Sequence, residues 1–149
     1  MQCWHKFYAF PCKVPFMLPL PTRYHAIVDY SFSLFLMLAP AIFGFGEAEA
    51  ETIVPIVAGM TICFYSFFTK YEGGLSPFMS IKLHYFFDIV VGLLVALSPW
   101  LFGFRQIVYK PHVFIGIAFM LVGGYNLWPL IKFQKLDFHR PLAGLIRVD

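Results

Sequence analysis

Four apolar segments, separated by short polar stretches, dominate the pattern of this chain. They run from about 26 to 46, from about 52 to 68, from about 85 to 104 and from about 113 to 131. Each is close to the roughly 20 residues with which an α-helix crosses about 30 Å of hydrocarbon. Because the connections are short, consecutive helices must be antiparallel neighbours. The pattern predicts an all-α fold, a bundle of four transmembrane helices.

The composition supports lipid as the solvent of this bundle. The chain has 149 residues, of which 60% are hydrophobic and 13% are charged, whereas a soluble domain carries about 25% charged residues. So few polar residues cannot enclose four apolar helices in water. The formal net charge of +3 comes without a dense basic stripe, so nucleic acid is not an expected partner.

Familiar catalytic and metal-binding signatures are missing from the sequence. The three cysteines, at positions 3, 12 and 63, fit neither a disulfide framework nor a zinc-finger spacing. A nucleophile elbow, a phosphate loop and a dinucleotide fingerprint are also missing. Enzymatic activity is therefore the less favoured interpretation.

A block of the first apolar segment recurs in the third. The stretch from His25 to Asp29 returns as the stretch from His84 to Asp88, at an offset of 59 residues. A proline and a Phe-Gly-Phe tripeptide follow at the same offset in each copy, at Pro40 and 43–45 and at Pro99 and 102–104. The fold is therefore predicted to consist of two helical-hairpin repeats. Both repeats run in the same direction, so their symmetry axis lies along the membrane normal.

The repeated element reads basic-x-His-x-x-x-Asp. Histidine and aspartate four residues apart lie on one helix face, and the repeat symmetry places the two pairs at equal depth. An ionisable side chain within a membrane helix normally faces protein and has a partner. The candidate intramembrane polar network or ligand site therefore comprises His25, Asp29, His84 and Asp88, with the basic residues Arg23 and Lys82.

Several interpretations of this element remain open. The favoured one is a structural network, with each aspartate paired to its own histidine or to a basic residue of the other repeat and no cofactor bound. Divalent transition-metal binding, haem or chlorophyll-type pigment ligation, and a proton or substrate path are the alternatives. The identity of any metal is left open. His112 has no repeated counterpart and is expected at a surface or an interface.

The distribution of basic residues predicts the topology. One side of the membrane receives nine basic residues, and the other receives only Arg105 and Lys110. The nine are Lys6, Lys13, Arg23, Lys70, Lys82, Lys132, Lys135, Arg140 and Arg147. Basic residues are in excess on the cytoplasmic side, which predicts cytoplasmic N and C termini in a prokaryotic inner membrane.

Three parts of the chain follow from this topology. Residues 1–20 are predicted to form an N-terminal extension, with an interfacial or partner-binding role as one interpretation. The alternative is that the protein starts at Met17 and not at Met1. Residues 21–131 form the transmembrane domain, with repeat 1 at about 22–69 and repeat 2 at about 81–131. Residues 132–149 form a cytoplasmic tail.

The chain resembles the SPW-repeat family of small prokaryotic membrane proteins. The resemblance rests on the doubled layout, on the stretch from Pro21 to Tyr30, and on Ser98-Pro99-Trp100. The first copy departs from the motif, with Ala39-Pro40-Ala41 at the corresponding positions. The resemblance covers about 21–129 and implies a four-helix membrane domain, with no activity or ligand attached to it.

Two classes of function are compatible with these observations. The favoured one is a non-catalytic integral membrane protein, a structural or accessory subunit of a membrane assembly. Its expected partners are membrane lipid and either other membrane subunits or further copies of itself. The alternative is a small transporter, or a cofactor-binding or metal-binding membrane protein, that uses the repeated His-x-x-x-Asp pairs.

Overall fold

The chain folds into four helices preceded by a short hairpin. The structure, a computed structural model, describes residues 2–5, 8–11, 20–45, 49–76 and 78–138, with side chains described from residue 20 to residue 132 within these ranges. The helices are α1 (Thr22–Phe43), α2 (Ala50–Phe67), α3 (Ile81–Leu101) and α4 (Lys110–Phe138). All four are long and apolar enough to cross a membrane. The predicted all-α, four-helix transmembrane bundle is confirmed.

A two-stranded hairpin lies within the predicted N-terminal extension. Strands β1 (Gln2–His5) and β2 (Tyr8–Pro11) pair antiparallel, with Gln2 opposite Pro11 and His5 opposite Tyr8. The remainder of the extension before Leu20 lies outside the described residues. Its predicted interfacial or partner-binding role stays a prediction.

Helices α1 and α3 begin about one turn before their apolar segments, because polar or proline residues cap them. The carbonyl of Pro21 accepts the backbone N–H of Tyr24 at 2.9 Å. The Ser80 hydroxyl accepts the backbone N–H of Leu83 at 3.4 Å, as an N-cap serine does. Helix α4 runs through Phe138, so the first part of the predicted tail is helical.

The same helices end at matching glycines. Gly44 and Gly103 have positive φ angles of 66° and 77°, a left-handed conformation that carries a steric cost for side chains with a Cβ. The carbonyls of Pro40 and Pro99 then accept N–H groups from beyond these turns, at 2.9 and 3.0 Å. The carbonyl group of each repeated proline therefore accepts a hydrogen bond in the last turn of its helix.

The bundle consists of two hairpins that meet along α2 and α3. Helix α1 packs on α2, α3 packs on α4, and α2 contacts α3. The shared apolar core contains Leu36, Ile62, Val95 and Phe119. Helices α1 and α3 begin at one end, which we call the proximal end, and finish at the other, the distal end. They are parallel, as the repeat predicts.

Candidate metal centre between the repeats

The repeated histidines and aspartates meet at the proximal end of the bundle. His25 and Asp29 lie in the first two turns of α1, and His84 and Asp88 in the first two turns of α3. All four side chains are 0% exposed. One ligand atom from each lies within 4.8 Å of the others. The sequence repeat therefore translates into a single buried cluster that both copies share.

Each histidine lies closer to the aspartate of the other copy than to its own. His25 Nε2 is 3.2 Å from Asp88 Oδ2, and His84 Nε2 is 3.0 Å from Asp29 Oδ2. The distances within each helix are 3.5 and 3.6 Å. This reciprocal exchange is what a two-fold relation between parallel helices produces. Each aspartate thus pairs more closely with the histidine of the other repeat than with the histidine of its own helix, which connects the two repeats.

The separations match those expected around a tetrahedral metal ion. The two Nε2 atoms lie 3.2 Å apart, and the nitrogen–oxygen distances run from 3.0 to 3.6 Å. Ligands at about 2.0–2.1 Å from a tetrahedral Zn²⁺ lie about 3.3–3.4 Å from one another. One ligand atom from each residue converges to within 4.8 Å of the others, so His25, Asp29, His84 and Asp88 are the residues that would hold an ion.

The charge of the cluster also calls for a cation. Two carboxylates buried at membrane depth are costly unless positive charge accompanies them. Arg23 and Lys82, which the sequence placed with the site, have exposed side chains, whereas the cluster is fully buried. The nitrogen atoms within 3.6 Å of the carboxylates are those of the two imidazoles. One divalent cation, bound by the two carboxylates and two neutral imidazoles, would balance the charge of the carboxylates.

Three hydroxyl groups from the end of α2 and the loop after it surround the four ligands. The Tyr65 hydroxyl donates to Asp88 Oδ1 at 2.6 Å, and the Tyr71 hydroxyl donates to Asp29 Oδ2 at 3.3 Å. Thr69 Oγ1 lies 2.9 Å from His84 Nδ1. Burial raises the pKa of the Tyr71 phenol, which keeps this group a donor. Such outer contacts orient metal ligands.

Sequence reasoning missed these three hydroxyl residues. They have no repeated counterpart, because the positions 59 residues later are Gly124, Trp128 and Leu130. A weaker signal was available: Tyr65 and Thr69 lie four residues apart, a spacing that makes side chains neighbours when a helical turn continues between them.

The first copy lacks the support that the second receives at its histidine. Among the described residues, no hydrogen-bond partner reaches His25 Nδ1. The His25 ring instead packs edge-on against Tyr85, with ring centroids 4.7 Å apart. The ring of His25 is therefore held by packing, and the ring of His84 by a hydrogen bond.

A macrocycle does not fit between the two histidines. Haem or chlorophyll ligation by both imidazoles would place the flat ring system between the two Nε2 atoms, which lie 3.2 Å apart. Aromatic side chains close the remaining sides, with the Tyr65 and Tyr71 rings 5.0 and 5.4 Å from the His84 ring. The geometry suits a single ion and excludes a shared axial ligation of a pigment in this arrangement.

The repeat-motif residues lie at the distal end, away from the cluster. Ala39, Pro40, Ser98 and Pro99 are buried in the last turns of α1 and α3, and Trp100 is exposed. The Ser98 hydroxyl donates to the Val95 carbonyl at 2.7 Å. These residues shape helix ends and contribute nothing to the ligand set.

His112 occupies an interface between the hairpins at the distal end. It is 2% exposed, and its Nε2 atom lies 3.1 Å from the Glu51 carbonyl oxygen, to which it donates. Its ring lies against Phe45 and Phe104, at centroid distances of 5.2 and 4.9 Å. These phenylalanines are the last residues of the repeated Phe-Gly-Phe tripeptides. His112 thus joins both copies where they finish.

Comparisons with known proteins agree with the doubled architecture. No curated protein and no solved structure matched the chain. A family model described as the SPW repeat domain matches residues 23–126, which include both histidine–aspartate pairs and the Ser98-Pro99-Trp100 motif. The chain is a multi-pass membrane protein that belongs to the SPW repeat domain family.

Proposed function

We propose that this membrane protein binds one divalent transition-metal ion between its repeats, and that the ion fastens the two hairpins together. The observation that carries the proposal is the convergence of two imidazole nitrogens and two carboxylates, with each nitrogen 3.0 to 3.6 Å from the other nitrogen and from both carboxylates. Imidazole with carboxylate is a ligand set that suits zinc and related metals.

A fastening role fits the way the helices pack. Helices α1 and α3 carry the ligands, but each makes most of its helix contacts with its own hairpin partner. An ion bound by both helices would add a direct connection between the copies. Four protein ligands complete a tetrahedral shell, and such closed sites are structural, whereas catalytic sites keep a position for water or substrate. The proposed ion therefore has a structural and not a catalytic role.

A transport role receives less support from the described core. Beyond the cluster, a core of apolar side chains that includes Leu36, Ile62 and Val95 lies between the helices. A path for ions needs polar groups along its length. The accessory-subunit role predicted from the sequence is compatible with a structural ion, and it stays a prediction.

Metal analysis of the protein purified in mild detergent tests the proposal. We expect about one zinc-class ion per chain after equilibration with zinc and removal of the excess. Replacement of both cluster histidines, by His25→Ala with His84→Ala, should abolish binding. His112→Ala is the matched control, because it removes a buried imidazole outside the cluster. A folded wild-type protein that retains no zinc, cobalt, nickel or manganese would leave only a hydrogen-bonded network and overturn the proposal.

We further propose the prokaryotic inner membrane as the location, with both termini in the cytoplasm. Support comes from the bias of nine basic residues against two. In this orientation the proximal end, with the metal centre, lies on the cytoplasmic side. A reporter fused after Asp149 should be active in the cytoplasm, and a periplasmic signal from that fusion would contradict this orientation.

A further inference from the structure

Thr69 makes two contacts that together determine where a proton lies on His84. The residue follows the end of α2 and is fully buried. Its Oγ1 atom lies 2.7 Å from the Tyr65 carbonyl oxygen and 2.9 Å from His84 Nδ1. A carbonyl oxygen can only accept a hydrogen bond. The single hydroxyl proton of Thr69 is therefore directed to the Tyr65 carbonyl.

The proton between Thr69 and His84 must then come from the imidazole. Because the hydroxyl proton is committed, Thr69 Oγ1 acts as the acceptor, and His84 Nδ1 carries the hydrogen. In a neutral imidazole only one ring nitrogen carries a hydrogen, so His84 Nε2 presents a lone pair. That atom points at Asp29 Oδ2 at 3.0 Å. A lone pair that faces a carboxylate at this distance is stabilised by a proton or a metal ion between the two atoms, and the proposed ion would take this position.

Tyr65 supports both ligands of the second copy through two different groups. Its carbonyl fixes the Thr69 hydroxyl, and its own hydroxyl donates to Asp88 Oδ1. This bond occupies one carboxylate oxygen and leaves Asp88 Oδ2, which faces both Nε2 atoms at 3.2 and 3.6 Å. The outer contacts therefore select one nitrogen and one oxygen of the second copy for the centre.

We infer that Thr69 is a positioning residue that presets His84 Nε2 as a ligand, and that the centre takes a four-coordinate zinc-class ion. This inference rests on the proposed metal binding. Mg²⁺ and Ca²⁺ require six or more ligands, mainly oxygen, whereas this centre offers two nitrogens and two carboxylates within a closed tetrahedral spacing. Loss of an outer contact to a metal ligand costs about 10-fold to 100-fold in affinity.

Titration with Co²⁺, followed by competition with Zn²⁺, tests the inference in the full-length protein in detergent. Four-coordinate Co²⁺ gives intense visible absorption, so the spectrum reports both affinity and geometry. We expect Thr69→Val to weaken binding by about 10-fold to 100-fold and Thr69→Ser, which keeps the hydroxyl, to restore most of the affinity. Thr61→Val is the matched control, because Thr61 makes the same hydroxyl bond to a carbonyl four residues earlier, at 2.8 Å, on an exposed face.

The outcomes separate the inference from the function on which it rests. If wild-type protein binds neither Co²⁺ nor Zn²⁺, the proposed metal binding fails. If it binds them and Thr69→Val binds equally well, the positioning role is wrong while metal binding stands. A weak, six-coordinate Co²⁺ spectrum would overturn the zinc-class assignment. Should Thr69→Val fail to fold, Thr69→Ala and ¹⁵N NMR of the wild-type imidazoles provide the test, since hydrogen on Nε2 of His84 would contradict the inference.

Discussion

The two repeats contribute the same ligands to the centre but differ in how those ligands are held. In the second copy, the His84 ring donates to Thr69 and Asp88 accepts a 2.6 Å bond from Tyr65. In the first copy, Asp29 accepts a 3.3 Å bond from Tyr71, and His25 Nδ1 has no partner among the described residues. The hydroxyl groups that create this difference all belong to α2 or to the segment that follows it. Duplication therefore supplied symmetrical ligands, and unrepeated residues orient one pair of them more firmly.

The largest effect is expected from removal of a cluster carboxylate. Asp88→Leu should destabilise the fold by about 3–5 kcal/mol, the cost of breaking a buried charged pair. Asp29→Leu should cost about 1 kcal/mol less, because the loss of the Asp88 carboxylate also leaves the buried Tyr65 hydroxyl without its acceptor. Thermal unfolding in one detergent measures both.

Glu49→Leu is the control for these two variants, because Glu49 is exposed at the start of α2 and its side chain makes no capping hydrogen bond. Its stability should stay close to that of the wild type. Equal stability of Asp88→Leu and Glu49→Leu would contradict the buried network altogether, whereas equal loss in both aspartate variants would remove the distinction between the copies.

The next effect concerns how closely the helices of each hairpin approach. A Cβ at Gly116, between α3 and α4, would meet three backbone atoms at 2.4 to 2.8 Å. A Cβ at Gly59, between α1 and α2, would meet the Ser33 carbonyl oxygen at 2.6 Å and side-chain atoms at 2.9 and 3.2 Å. Overpacking costs about 1–3 kcal/mol. The loss of stability from Gly116→Ala should lie at the upper end of this range, and the loss from Gly59→Ala at the lower end. Thermal unfolding measures both.

Gly124→Ala supplies the control for helix propensity, since a Cβ there meets nothing within 4 Å. It should be neutral or stabilise α4 by about 0.5–1 kcal/mol. A Gly59→Ala variant that is less stable than Gly116→Ala would show that the first hairpin, and not the second, is the more tightly packed copy.

The smallest effect separates the two tyrosines. Tyr65→Phe should cost about 1.5 kcal/mol, since it removes a short buried bond to a carboxylate. Tyr71→Phe should cost about 0.5 kcal/mol, because its bond is longer and its side chain is only partly buried. The difference is best measured as paired unfolding midpoints with and without zinc. A larger loss from Tyr71→Phe would reverse the order of support proposed for the two copies.

The architecture could be predicted because it depends on periodic features. Four apolar segments gave four helices, and the offset of 59 residues placed His25, Asp29, His84 and Asp88 at one end. Helix boundaries were less predictable, because hydropathy detects the part of a helix in lipid and not its caps at Pro21 and Ser80. Arg23 and Lys82 are exposed, whereas the four histidine and aspartate side chains are buried, and the predicted role of these basic residues stays a prediction.

The outer contacts could not be predicted, because they depend on the path of one loop. Thr69 and Tyr71 reach ligands of different repeats because the segment after α2 folds back across the start of α1. There the Tyr30 hydroxyl donates to the Gly73 carbonyl at 2.9 Å. The hydroxyl of Thr22 donates to Glu72 in the same region. Neither contact has a counterpart in the hydropathy pattern or in the repeat.

The division of the ligands between α1 and α3 has a consequence for biogenesis. Membrane helices are inserted in the order of synthesis, and half of the ligand set enters the bilayer with the first helix while the other half arrives only with the third. Between these events His25 and Asp29 have neither of their cross-repeat partners. The centre is complete only once both copies have been inserted in the same direction, so a bound ion would mark chains whose insertion has proceeded correctly through at least the third helix.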